Sequence, residues 1–134
     1  MNSRDTIFIG GEWVPSSGTG KIEVISPATE QVIATVPDST TADVDRAVAA
    51  ARDAFDNGPW PRMSPSDRAD VMGKVSQLLQ GRAEELSNVI AEEMGTPVSW
   101  SLFGQVYSST MVLDYYTNLA KEFPFEDVLS LIHI

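Results

Sequence analysis

The 134-residue chain changes its apolar period once, at Pro37, and does not change back. Before Pro37 the apolar residues fall in short runs of strand type. After it they recur at helical spacing. Helices and strands that do not alternate cannot build the repeated strand–helix–strand units of a parallel sheet. The fold class read from this order is α/β but incomplete. N-terminal β-hairpins span residues 6–37, and three to four amphipathic helices follow at about 41–57, 65–80, 82–94 and 100–121.

The strand half is punctuated by turns. "TIFIGGEWV" is two apolar runs around Gly10-Gly11, a pair that accepts positive φ and suits a two-residue hairpin turn. A polar turn, "PSSGTG", comes next. "KIEVIS" and "QVIATV" then flank "PATE" as a second hairpin, bounded by Pro27 and Pro37.

The helical half carries start and stop signals. Thr40 is placed to cap the first helix, with Asp43 three residues on to bond back. Val44, Ala47, Val48, Ala51 and Phe55 form its stripe, and Gly58-Pro59 end it. Ser64, Pro65 and Asp67 start the second helix, whose stripe is Val71, Val75, Leu78 and Leu79. Gly81 marks a junction. Leu86, Val89, Ile90 and Met94 extend the pattern to Gly95 and Pro97. A last helix carries Phe103, Tyr107, Met111 and Val112 on one side, with Pro124 beyond its end. These apolar faces need a surface to bury against, and the short N-terminal strands offer little. Marginal stability is therefore expected for the chain alone.

Charge narrows the function classes. Nine Lys+Arg against nineteen Asp+Glu give a net charge of −10. Nucleic acid and anionic membrane both demand a basic footprint, so neither is an expected partner. There is no cysteine, hence no disulfide, thiolate nucleophile or thiolate-bound metal in these residues. With no signal-peptide pattern and no apolar run near 18 residues, a cytoplasmic location is expected.

An ordered set of short motifs then points to a family. "FIGGEWV", "ISPATEQVIATVP", "ADVDRAVAAARDAFDNGPWPRMSPSDRADVMGKVSQLL" and "EEMGTPV" together resemble the N-terminal segment of the NAD(P)-dependent aldehyde dehydrogenase superfamily. The resemblance runs from Thr6 to about Val98, and the helix holding "DYY" carries it to about Phe125. No piece is specific alone; the order is. Two residues depart from the family pattern: Ser26 replaces an asparagine, and Glu30 replaces a turn glycine that would take positive φ cheaply.

The resemblance implies part of a Rossmann-like cofactor-binding domain. It implies an oxidoreductase that converts an aldehyde to a carboxylic acid with NAD or NADP. A cysteine thiolate forms a thiohemiacetal, and a glutamate-activated water later releases the acid. It also implies a homo-oligomer for the complete enzyme. The cysteine, the glutamate and the cofactor residues would lie downstream of this segment. "GGEW" and "SSGTGK" match neither the dinucleotide fingerprint nor a phosphate loop. No catalytic or cofactor-binding residue is therefore assigned, and the chain alone is expected to be inactive. The competing expectation is a stand-alone module that binds a partner chain through exposed helix faces.

Two pairs remain as candidates through the resemblance. Gly104 and Ser108, one turn apart, fall where the family lines its aldehyde tunnel. Glu93 and the carbonyl of Ile25 fall where a structural monovalent cation is held. Against each stands a plain alternative: small residues for packing, and a surface glutamate. Adjacent glutamates at 84–85 and 92–93 point apart on a helix and make no catalytic pair. Trp13, Trp60, Trp100 and the Tyr115-Tyr116 pair are expected to be packing residues. The closing "LSLIHI", Leu129 to Ile134, is expected to be a non-native tail, since sequencing-library adapter codons spell it. Residues 1–128 would then be the native segment, and His133 would have no role.

Overall fold

The computed structural model describes residues 3–127. Leu129 to Ile134, with His133, lie outside the described residues. Two antiparallel hairpins open the fold. Strand β1 (Thr6–Ile9) pairs with β2 (Glu12–Pro15), and β3 (Lys21–Ile25) pairs with β4 (Val32–Pro37). The first turn works because Gly10 and Gly11 sit at φ +63° and +89°, as a twist-matched two-residue turn requires. The second turn is closed by Glu30 N–H donating to the Ser26 carbonyl and Ser26 N–H donating to the Gln31 carbonyl, at 2.8 and 2.9 Å. It puts Glu30 at φ +58°, so the departure from glycine is met with the same left-handed turn. Arg4 N–H donates to the Thr35 carbonyl at 3.0 Å and ties the two hairpins together.

Helix α1 (Thr41–Asp56) starts on a capping box between Thr40 and Asp43. A 3₁₀ turn at Trp60–Arg62 leads to α2 (Pro65–Gly81), capped by the Ser64 hydroxyl. Helix α3 (Ala83–Met94) follows after Arg82 alone, whose φ of −112° and ψ of 17° make the junction. Gly81 is thus the last residue of α2, and the break falls one residue later. Gly95 ends α3 in the left-handed region at φ +72°.

The last helix differs from the expected continuous α-helix. A single α-turn, α4 (Val98–Trp100), runs into a seven-residue π-helix at Ser101–Tyr107, and α5 (Ser108–Glu122) completes it. The π segment contains Gly104, which adds no side chain to the widened turn and weakens the local α preference. The Ser108 hydroxyl also donates to the Gly104 carbonyl at 2.7 Å and engages a backbone acceptor of the π segment.

Helices α2 and α5 pack most closely, and the helix–helix seams are made of small residues. Ala69, Ser76, Ala83, Ser87, Ser101, Val106, Thr110 and Thr117 are buried. The large apolar residues are not. Val44, Val48 and Phe55 of α1, Leu78 of α2, and Phe103, Met111 and Val112 are exposed. The accessible surface is 10054 Å². A compact protein of this mass exposes about 6,900 Å². Much of the stripes of α1 and the last helix is open to solvent, whereas Leu79 of α2 and Leu86, Val89 and Ile90 of α3 are half-buried. Also exposed are the three tryptophans and the Tyr115-Tyr116 pair, the expected packing residues. Some of these rings instead pair with an aromatic close by in the chain. Trp13 meets Phe8 with ring centroids 5.2 Å apart, and Tyr115 meets Tyr116 edge-on at the same distance.

Candidate functional site

The end of α3 and the π-helix bring the family-implied residues into one region. Thr96 and Ser101 hydroxyls lie 2.6 Å apart, and Ser101 is fully buried. Ser101 N–H donates to the Pro97 carbonyl at 2.9 Å. This clamp fixes where the π-helix begins. Gly104 and Ser108 then sit one turn apart, joined by the hydroxyl–carbonyl bond, with a second, longer contact from Ser108 to the Gln105 carbonyl at 3.4 Å. The Ser108 hydroxyl therefore points back to the backbone and gives its proton to it. Phe103 and Tyr107 lie beside this row, their rings tilted at 49° with centroids 5.7 Å apart.

Sequence reasoning missed Trp100 here. A Cβ placed on Gly104 would lie 2.8 to 3.0 Å from indole atoms Cε2, Cδ2 and Cζ2 of Trp100. The ring occupies the space that a side chain at 104 would need. The available signal was the spacing: Trp100 and Gly104 are four apart and so share a helix face.

The cation candidate fares differently. A Cβ on Gly95 would sit 3.0 Å from Pro27 Cγ, so the end of α3 abuts the turn just after Ile25. Glu93 and Ile25 nevertheless stay exposed. A hard cation takes about six or more oxygen ligands. One exposed carboxylate and one carbonyl do not make that cage. No group of three or more His, Cys, Asp or Glu side chains suited to a metal occurs among the described residues. Of the glutamate pairs, Glu85 is held by Arg82 in a two-pronged contact at 2.7 and 2.8 Å.

The most perturbed acid lies elsewhere. Asp43 is 1% exposed. It accepts from the Ser16 hydroxyl at 2.7 Å, from Ser17 N–H at 3.0 and 3.1 Å, and from Thr40 N–H at 3.0 Å. The Ser16 bond above all, with the backbone donors, outweighs desolvation and holds the carboxyl far below the usual range. Both carboxylate oxygens are engaged, and they tie the 16–18 loop to the start of α1. Asp43 is a structural knot, not a free acid or base.

Two cavities flank the α2–α5 pair. One, of about 660 Å³, is polar, bridged by Lys121–Asp70 at 2.7 Å and Gln80–Asp114 at 3.1 Å. The other, of about 250 Å³, is apolar and lined by Trp60, Met72, Tyr116 and Phe125 among others. Neither contains a nucleophile with a base beside it. No helix among the described residues is long and apolar enough to cross a membrane.

Comparison with known proteins places this framework. The model of the aldehyde dehydrogenase family matches residues 13–131. Aldehyde dehydrogenase 1 of Tanacetum cinerariifolium is 45% identical over 116 residues, covering 87% of this chain and 23% of that protein. An aldehyde dehydrogenase C mutant from Pseudomonas syringae, solved with NAD+ and octanal, superposes with a TM-score of 0.89 at 37% identity. That match covers 94% of this chain and 26% of the other. The Mycobacterium tuberculosis aldehyde dehydrogenase solved with NAD+ gives 0.87 at 36% identity, with the same coverage. The chain spans about a quarter of the length of the proteins it matches. Hairpins, helices and matched residues agree, and the chain belongs to the aldehyde dehydrogenase family.

Proposed function

We propose that this chain is the N-terminal segment of an enzyme that oxidises an aldehyde to a carboxylic acid with NAD+ or NADP+. The observation that carries it is the ordered match over residues 13–131. The reaction needs a thiolate to attack the carbonyl, a base to activate water and donors for the oxyanion. This chain has no cysteine, so the bond-forming step falls to residues outside it. Its residues do not fit a dinucleotide either. Among the described residues no strand is followed by a glycine-rich turn into a helix, and the strands form two hairpins. The chain's own part is to frame the catalytic unit, to present Gly104 and Ser108 to the incoming aldehyde, and to seat the hairpin turn against Gly95. Alone it is inactive.

The test is a chimera. Residues 1–127 replace the matched segment of the Mycobacterium tuberculosis relative. The chimera should oxidise aldehydes with a dinucleotide cofactor, and the isolated chain should not. Turnover by the isolated chain, or a folded, cofactor-binding chimera that oxidises nothing, overturns the reading.

A further inference from the structure

We propose that the π-helix is a hinge built into the last helix: it holds one surplus residue as slack between two pinned parts, with the Ser108 hydroxyl as its latch.

The surplus shows in the spacing of the buried residues. From Ser101 onward these are Ser101, Val106, Thr110 and Thr117. An α-helix returns to the same face after four and after seven residues. Thr110 follows Val106 by four, and Thr117 follows Thr110 by seven, so this part keeps the α pattern. Val106 follows Ser101 by five. Leu102 to Gln105 are thus four residues in a span that an α-helix fills with three. The π-helix at Ser101–Tyr107 is the backbone form of that extra residue.

Both sides of the slack are pinned. Ser101 is fully buried, its hydroxyl 2.6 Å from that of Thr96 and its N–H bonded to the Pro97 carbonyl at 2.9 Å. Beyond the slack, Asp114 meets Gln80 at 3.1 Å and Lys121 meets Asp70 at 2.7 Å. Thr117 lies between these two bridges, against Gly73 of α2. A continuous α-helix leaving Ser101 would turn everything after it by about 100°. Gln105 would then take the place of Val106, and the bridges to α2 would be lost. The surplus residue lets both seams close.

Gly104 is where the slack is built. A Cβ there would meet the Trp100 indole at 2.8 to 3.0 Å, so the wide turn takes glycine. Ser108 holds the turn. Its hydroxyl donates to the Gly104 carbonyl at 2.7 Å, while its N–H donates to the Gln105 carbonyl three residues back. The stretch between the pins also has room. Phe103 is 66% exposed, and Gln105 borders a cavity of about 160 Å³ with Leu79, Leu86 and Ile90. Movement of the slack among residues 102–105 disturbs neither pinned side.

The experiment uses the 134-residue chain. Deletion of Gly104 should leave a continuous α-helix with both seams intact. It also removes a glycine from a helix interior, so the urea midpoint should hold or rise by about 0.3 M. Deletion of Met111 is the control. That side chain is 70% exposed, so its loss is felt through register alone. The deletion turns Thr117 and both bridging residues off α2, and the midpoint should fall by about 1 M or more. Deletion of Phe103 removes the same surplus at a second position and should keep the fold as well. Hydrogen exchange reads the hinge itself. Amides of residues 104–108 should exchange about tenfold or more faster than those of 112–118, and deletion of Gly104 should close that gap. Ser108→Ala should widen the gap in the parent chain and leave the deletion variant unchanged, since a serine bonded back within an ordinary α-turn adds no stability. If deletions of Gly104 and of Phe103 both cost as much as deletion of Met111, the surplus residue is refuted. Amides at 104–108 as protected as those at 112–118 refute the hinge.

Discussion

Two glycines should respond in opposite directions to the same added methyl group. Gly95 ends α3 at φ +72°, and its Cβ position is 3.0 Å from Pro27 Cγ. Gly81 ends α2 with ordinary φ and nothing within 4 Å of its Cβ position. For an L-residue the left-handed region costs about 1–2 kcal/mol. Alanine recovers about 0.4–1 kcal/mol by restricting the unfolded chain. The backbone balance at Gly95 is thus a loss of about 1 kcal/mol, and crowding against Pro27 takes it to about 1–2 kcal/mol. At Gly81 only the gain applies, about 0.5 kcal/mol at a helix end. With a urea slope of about 1–3 kcal/mol per molar, Gly95→Ala should lower the unfolding midpoint by about 0.5–1 M. Gly81→Ala should raise it slightly. Urea titrations of the chain followed by far-ultraviolet circular dichroism read both. Gly95→Asn should fall between wild type and Gly95→Ala, since asparagine tolerates the left-handed region. A neutral Gly95→Ala, or a destabilising Gly81→Ala, would refute the reasoning. The first would mean that the hairpin does not rest on the end of α3.

Other outcomes follow from single groups. At Glu30, φ +58° already carries left-handed strain. Glu30→Gly should leave stability equal or raise it by a few tenths of a kcal/mol, whereas Glu30→Val should cost about 1 kcal/mol or more in the same urea assay. Asp43 titrates below its ordinary value of 3.8 when folded. Its contribution is therefore complete above that value and is lost as pH falls below it toward the folded pKa. Melting temperature measured from pH 6 down to pH 3 should drop less steeply in Asp43→Asn than in wild type; parallel curves would contradict the knot. Ser101→Ala removes the 2.6 Å hydroxyl contact with Thr96 and should cost about 1 kcal/mol, with Thr96→Ser tolerated by comparison. The open apolar faces should bind an anilinonaphthalene dye and broaden thermal unfolding; a sharp transition with no dye uptake would argue that these faces are covered in solution.

The hairpins and helix starts were legible because local chemistry fixes them. Gly10-Gly11 dictates its turn, and Thr40 with Asp43 dictates a cap, with no help from the rest of the fold. The π-helix was not legible. Its apolar spacing, Phe103 to Tyr107 to Met111, is compatible with an α-helix, and the extra residue per turn arises where Gly104 meets the Ser108 hydroxyl. Aromatic placement failed for a related reason. Composition says that tryptophan and tyrosine tend to be buried, but burial depends on what covers a face. Trp13, Trp60 and Trp100 sit on faces that the described residues cover only in part.

The same distinction explains why the family was readable while the site was not. Small residues at the α2–α5 and α3–π-helix seams bring backbones close, with Leu79, Leu86, Ile90 and Val106 beside them. That framework is what superposes on the relatives. The stripes of Val44, Val48 and Phe55, or of Phe103 and Met111, add nothing to it in this structure, since they face solvent. Such faces contribute to the roughly 3,000 Å² of surface above the expectation for a compact protein. Chemistry in this family's proposed reaction requires a nucleophile that this chain does not have. What the chain can specify is shape: a turn seated on Gly95, and an indole seated on Gly104. Trp100 belongs to both layers, since its ring packs on the helix that holds it and presents its outer face to whatever approaches. A residue of that kind is invisible to periodicity, which scores it only as another apolar position.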